Sequence, residues 1–525
     1  MLAWKGIGVL RFIPLNMSPD LPVAVPLILV VLLHVLTLGY WAARAIGFRS
    51  EDFWTKVAVV GGLGYTLLGA EMFVLGHLGG LQRTPIIVSA VVMGAGFALA
   101  RRRWTGYLRE FCRQLRDLGL ENPVMLGSVA VFVCFMFFSG TRPSMLREGL
   151  HFPDDDYHFG APLIWASLGR WEHSPFRMMD AAAMMEMLYT IGAIFHSPTA
   201  GHWTQALLVV FMLPALAGIA KATGGNRPAY LAAVLAIPVV GSQAASMGSD
   251  VPVVAFCIMA FAAMFQGDRG KTAGSDLSIQ TALTAGALFA GAFSSKNLGS
   301  LPALAAALVY AISPTFDRRA LAGPELKRSL ARVSLIVFPV VLVISAWAAH
   351  CYFLSGHLWD SREMVFTTDP NDWRWTSGAA VGHIPCPIDW LMIPVLPFYF
   401  SIFGQREPYG GRTGLLLAAF VWVGIAALKS LKRDQRLHAV WMIGSGLFYY
   451  LVLSPVIVKT RFLAFSWTAM SALAAVGYNA LQRQSKRPLC RFGIALFTLL
   501  VWIGMLDGVR KMMLGLILLL PTTME

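Results

Sequence analysis

The chain has 525 residues, of which 57% are hydrophobic and 13% charged, and its formal net charge is +14. Ordinary soluble domains carry about 25% charged residues, so these totals exclude a soluble globular fold and point to a polytopic membrane protein. The excess of Lys and Arg falls in loops between apolar runs, as the positive-inside rule requires, and therefore does not argue for nucleic acid as a partner.

The first apolar run spans 21–46. It is too long for a signal-peptide core and is followed by Arg44 and Arg49 rather than a cleavage site, so it reads as a retained span. Further runs follow at 57–80 and 85–100. Next comes "RRRWTGYLREFCRQLRD" (101–117), the most basic stretch of the chain, and then a run at 123–139. Residues 140–200 form a long polar insertion. Apolar runs resume at 203–222, 228–243, 251–266, 281–295, 298–313 and 333–353, and after a second long loop at 413–428, 437–455, 462–480 and 491–506. Only helices satisfy the backbone within such short hydrophobic segments. The predicted fold class is all-α: a transmembrane helical bundle of about 13–14 spans, with short interfacial helices. The predicted division is 1–120 as accessory helices with a basic loop, 121–480 as a catalytic core with outer loops 140–200 and 354–412, and 481–525 as a last helix and tail.

Charge sets the orientation. Besides 101–117, basic residues occur at Lys221 and Arg227, at Arg269 and Lys271, in "DRRALAGPELKRSLAR" (317–332), in "KSLKRDQR" (429–436) and in "RQSKRPLCR" (483–491). Counting spans puts all six on one side, provided that 390–404, interrupted by Pro394, Pro397 and Gly404, does not cross. The opposite, outer side then receives 140–200, "GSQAASMGSD" ending in Asp250, "SSKN" with Lys296, the loop 354–389 and "SPVIVKTRF" with Lys459 and Arg461. The six cysteines lie singly with no metal spacing, which reads as free packing thiols.

The outer set is chemically specific. "HFPDDDYHFGAPLIWASLGRW" (151–171) places Asp154, Asp155 and Asp156 just before Tyr157 and His158. One aspartate would serve as a helix N-cap. Three exceed that need and repel one another. Carboxylates here suit either general-base activation of an acceptor or a divalent cation, Mg or Mn, held by Asp154 and Asp155. Glu186 is a carboxylate inside the short apolar stretch "MMEMLYTIGAIF". Asp250 opens a span, where it can equally be a cap. Lys296 and Arg461 offer positive charge for a phosphate or anchor the membrane boundary. His158 reads as a local hydrogen-bonding partner, and the methionines of 177–187 as packing. The loop 359–375 is either an aromatic belt or an acceptor platform.

Taken in order, "DDDYHFGAPLIWASLGR", "MMEMLYTIG" with Glu186, "ASMGSDVPVVAF" with Asp250, "GALFAGAFSSKN" with Lys296 and "SPVIVKTRF" with Arg461 resemble the GT-C superfamily of polytopic glycosyltransferases. The resemblance is to its bacterial branch, like the lipid A aminoarabinose transferase and the Rgt-type sugar transferases, and covers about residues 125–480. It implies a GT-C-like bundle in the bacterial cytoplasmic (inner) membrane, with an outward-facing site. There, sugar would move from a polyprenyl-phosphate donor to a glycan, lipid or protein acceptor. Asp154 and Asp155 fit the family's acidic pair, with Asp156 as the cap. Tyr157, His158, Glu186 and Asp250 would orient donor or acceptor, and Lys296, Lys459 and Arg461 would hold the donor phosphate. The competing reading is a transporter or flippase for a lipid-linked saccharide, whose polar residues belong near the membrane midplane.

Overall fold

The computed structural model describes residues 19–141, 158–172, 183–244, 247–248, 250–267, 277–296, 300–313, 324–356, 414–453 and 463–517. Among them the structure is helical throughout, apart from an isolated bridge between Ser50 and Gly267. The protein is an all-α polytopic bundle. Asp154, Asp155, Tyr157, Lys459 and Arg461 lie outside the described residues, as do the triplet's third aspartate and segment 390–404.

Among the described residues, six helices are long and apolar enough to cross a membrane unaided. They are α1 (Leu21–Ile46), α2 (Phe53–His77), α8 (Pro198–Thr223), α14 (Pro324–Ser355), α16 (Arg433–Leu453) and α18 (Pro488–Ile517). Between them run shorter apolar helices, including α5 (Pro123–Ser139), α11 (Asp250–Gln266), α12 (Ile279–Ser295), α13 (Leu301–Ile312) and α15 (Leu415–Ala427). The expected run 228–243 is not one helix. It divides into α9 (Arg227–Leu235) and α10 (Pro238–Gln243), because Pro238 lacks the N–H that would continue the ladder.

The core is organised on α8. Ser197 caps it by accepting from Ala200 N, Pro198 takes the first turn, and Gly224 ends it at φ 74°, in the left-handed region. Glycine adopts that conformation without strain. Nearly every side chain of α8 is buried, and it packs against α1, α2, α5, α9, α11, α16 and α17 (Ala464–Arg483). A helix apolar on all sides belongs in such a position. The pair α1 and α2 meets through small residues: a Cβ on Gly39 would lie 1.7 Å from Val60 O, and one on Gly64 1.9 Å from Val35 O. This is the close backbone approach that membrane helices use for dispersion contact.

The two ends of the bundle differ in charge. At one end Lys221 pairs with Asp52 at 3.1 Å and Arg227 with Glu121 at 2.7 Å. Asn122 donates to Tyr478 at 2.7 Å, Asn226 to Gln482 at 3.0 Å, and Asn479 to Gly224 O at 2.7 Å. The described basic stretches 101–117, 221–227, 429–436 and 483–491 therefore gather there. At the other end Asp20 accepts from the Ser197 hydroxyl at 2.7 Å and from the Thr199 hydroxyl at 2.8 Å. Trp203 donates to Phe137 O at 2.8 Å and Trp171 to Phe73 O at 2.9 Å. The segregation by charge expected from the sequence is thus a spatial fact for these stretches. Cysteine labelling in intact cells should find 101–117 shielded and 357–375 reached by an impermeant reagent. Labelling of both from one side would contradict this orientation.

Candidate functional site

At the end opposite the basic one, two short helices pack together: α6 (Gly160–Leu168) and α7 (Met184–Ile194). The chain leaves α6 through Gly169, at φ 71°. It is pinned there because Leu81 N donates to Gly169 O at 2.9 Å and Trp171 N to Gly76 O at 3.1 Å. α7 is buried along its whole length and wedged against α2, α8 and α12.

Glu186 stands in the first turn of α7, where free N–H groups and the helix dipole favour a carboxylate. It is 2% exposed, and one of its oxygens is hydrogen-bonded to Nδ1 of the buried His158. The other, Oε2, is buried without a partner among the described residues. A buried carboxylate oxygen with no donor costs about 1–3 kcal/mol or more. Among the described residues it is an acceptor without a donor.

A second pair lies nearby along the chain network. Asp250 begins α11, and its carboxylate is bonded to the Lys296 ammonium at the end of α12. The side chains are 12% and 29% exposed, respectively. The ring of Tyr449 on α16 packs on Phe465 of α17 at 5.1 Å. The helices that bound 454–462, the stretch with Lys459 and Arg461, meet through this ring contact.

Tyr189 and Gln205 connect the two pairs. Tyr189 is one turn beyond Glu186 on α7, and its hydroxyl donates to Gln205 Oε1 and contacts Gly248 O at 3.1 Å. Gly248 N in turn donates to Gln205 Oε1 at 2.9 Å, and Gln205 Nε2 donates to Gln243 O at 2.7 Å. One rigid helix therefore fixes Glu186 and, through Gly248, the backbone two residues before Asp250. Tyr189→Phe should cost about 1–2 kcal/mol of stability and reduce activity several-fold more than that loss of fold explains. Thermal melting beside a turnover assay checks this; unchanged turnover would reduce Tyr189 to packing.

Of the sequence candidates, His158 meets Glu186 and Asp250 meets Lys296. Lys296 was expected to hold a donor phosphate with Lys459 and Arg461, or to reach the membrane interface; its ammonium here is bound to Asp250. Neither Tyr189 nor Gln205 was anticipated. Their signal was faint: a phenol three positions after Glu186, and a lone amide in a 26-residue apolar helix. Also unanticipated were His34 Nε2, 2.8 Å from Glu71 Oε2, with Ser89 donating to the same carboxylate, and His77 Nε2, 2.9 Å from His350 Nδ1. No group of three or more His, Cys, Asp or Glu is gathered for a metal among the described residues. Asp154 and Asp155, which would hold a cation, lie outside them. The five cysteines within the described residues are free thiols.

Residues 181–357 match the family model of dolichyl-phosphate-mannose-protein mannosyltransferases. This is a GT-C glycosyltransferase family. The match covers about a third of the chain and includes Glu186, Asp250 and Lys296, but not the Asp154–His158 stretch, Lys459 or Arg461. It agrees with the GT-C resemblance of the outer motifs. Together with the apolar helices it supports a membrane glycosyltransferase that draws on polyprenyl-phosphate-linked sugars in general. No curated protein matches the chain.

Proposed function

We propose that the protein transfers a sugar from a polyprenyl-phosphate donor to a glycan, lipid or protein acceptor at the outer face of a bacterial cytoplasmic membrane. The observation that carries this reading is the Glu186 carboxylate. It is buried, oriented by His158, and has one oxygen without a donor among the described residues, inside the stretch that matches the mannosyltransferase family. A buried acceptor of this kind fits a sugar hydroxyl as its donor.

The remaining roles follow from chemistry. Asp155 or Asp154 accepts the proton of the acceptor's attacking group as general base. The acceptor oxygen bonds to the anomeric carbon while the bond from that carbon to the donor phosphate oxygen breaks. The polyprenyl phosphate leaves with the electron pair, and Lys296, Lys459 and Arg461 stabilise its added charge. Asp250 holds the Lys296 ammonium in position until the phosphate competes for it. The apolar helices beside the site receive the prenyl chain. If the Asp pair binds a divalent cation, that ion would add further charge stabilisation at the phosphate.

The test is to incubate purified protein with radiolabelled polyprenyl-phosphate hexoses, mannose included, and candidate envelope acceptors. Label should pass from lipid to acceptor with wild type and not with Glu186→Gln. Label that stays on the lipid while the lipid changes leaflet would identify a flippase instead.

A further inference from the structure

The basic stretch 101–117 lies within α4 (Arg101–Glu121), which follows α3 (Arg83–Leu99) after a bend of 77° at Ala100. α3 runs with the bundle, so α4 lies across its basic end. It is secured there by aromatic contacts. Trp104 stacks on Phe97 at 5.0 Å and packs on Tyr40 at 5.3 Å, Phe111 meets Trp54 at 5.6 Å, and Arg103 donates to the Tyr40 hydroxyl at 2.7 Å. At about 3.6 residues per turn, Trp104, Tyr107, Phe111 and Leu118 share the arc that faces the protein.

Two further arcs are exposed. Leu108 and Leu115 are 63% and 40% exposed, and together with the exposed Cys112 they continue the apolar arc beyond the protein contact. Beside that strip Arg102, Arg109, Arg113 and Arg116 fall within an arc about 60° wide, all exposed. Arg113 is engaged by Glu110 at 2.6 Å and Arg116 lies 3.9 Å from Asp117, while Arg102 and Arg109 have no ion pair among the described residues. An apolar strip with an arginine row along one edge matches a bilayer boundary, where acyl chains adjoin headgroup phosphates. Guanidinium groups are suited to bidentate phosphate contact.

We propose that α4 is a docking surface for anionic phospholipid headgroups in the leaflet at the basic end, with Arg102, Arg109 and Arg116 as the phosphate contacts and Leu108 and Leu115 seated among the acyl chains. The surface lies outside the family match and is independent of the glycosyl-transfer reading. By binding the leaflet, α4 fixes the depth of α1 and α2, which contact α8 and α7, and so the height of the site at the far end.

The test uses the full chain in mixed micelles, with phosphatidylglycerol and phosphatidylcholine as probes and native mass spectrometry as the count of bound lipid. Wild type should retain phosphatidylglycerol preferentially, and high salt should weaken that retention. Arg102→Gln/Arg109→Gln/Arg116→Gln should lower phosphatidylglycerol affinity about tenfold or more. The corresponding triple Lys variant keeps the charge and should stay within a few-fold of wild type, which separates charge from folding. A control, Arg483→Gln/Lys486→Gln/Arg487→Gln, removes equal charge from the same end and should leave the preference in place. Full retention by the triple Gln variant, or an equal loss in the control, would overturn the proposal.

Discussion

Asp155→Asn should cut sugar transfer by about 10²-fold or more, the scale of a lost general base, while expression and thermal stability stay close to wild type. Asparagine keeps the size of aspartate and caps helices as well, so a purely structural carboxylate would survive the change. The same substitution at Asp154 should be comparably severe if the pair acts as a unit, and Asp156→Asn should be milder. The measurement is single-turnover transfer beside a melting curve. Near-normal transfer in all three variants would leave the triplet as a cap and remove the base from the proposed mechanism.

Lys296→Met should lower transfer about 10²–10³-fold, because the change removes positive charge from the leaving phosphate, a contribution worth about 3–4 kcal/mol in a dry site. The pair with Asp250 allows a sharper reading. If Lys296 serves only to neutralise Asp250, the double variant Lys296→Met/Asp250→Asn should recover much of the loss, since leaving one charge of a partly buried pair without its partner is what costs most. If Lys296 acts on the donor, the double variant should be no better than Lys296→Met alone. The account expects no recovery in transfer. Donor affinity measured alongside should fall with Lys296→Met, and recovery of both quantities in the double variant would assign Lys296 a purely structural role.

What the sequence disclosed followed from how each feature is encoded. The helices were legible because lipid admits few alternatives to a continuous apolar helix, and α1 occupies the expected run 21–46. The break at Pro238 was encoded by the proline itself but hidden by the apolar residues on both sides. Glu186 and Lys296 stood out because charge is expensive in such surroundings. Their partners were not legible as partners. His158 and Glu186 are 28 positions apart and Asp250 and Lys296 are 46 apart, and nothing local in either stretch specifies the meeting. Tyr189 and Gln205 carry no charge, so a hydropathy reading passes over them, although the fold uses both to hold Gly248. The four described basic stretches sorted to one end because each is tied to the parity of the spans before it. The amphipathic character of α4 needed the bend at Ala100 and the contacts of Trp104 and Phe111, which decide which part of its apolar arc is used up by protein.

The central claim is that a polyprenyl-phosphate donor binds at the end of the bundle that holds Glu186, Asp250 and Lys296. Photo-crosslinking with a polyprenyl-phosphate sugar carrying a photoreactive group next to the phosphate tests it most directly. The account predicts that labelled peptides come from the region of Lys296 and from the 454–463 junction, and that Lys296→Met reduces both. Labelling confined to the basic end, or to the His34–Glu71 region of α1 and α2, would contradict it.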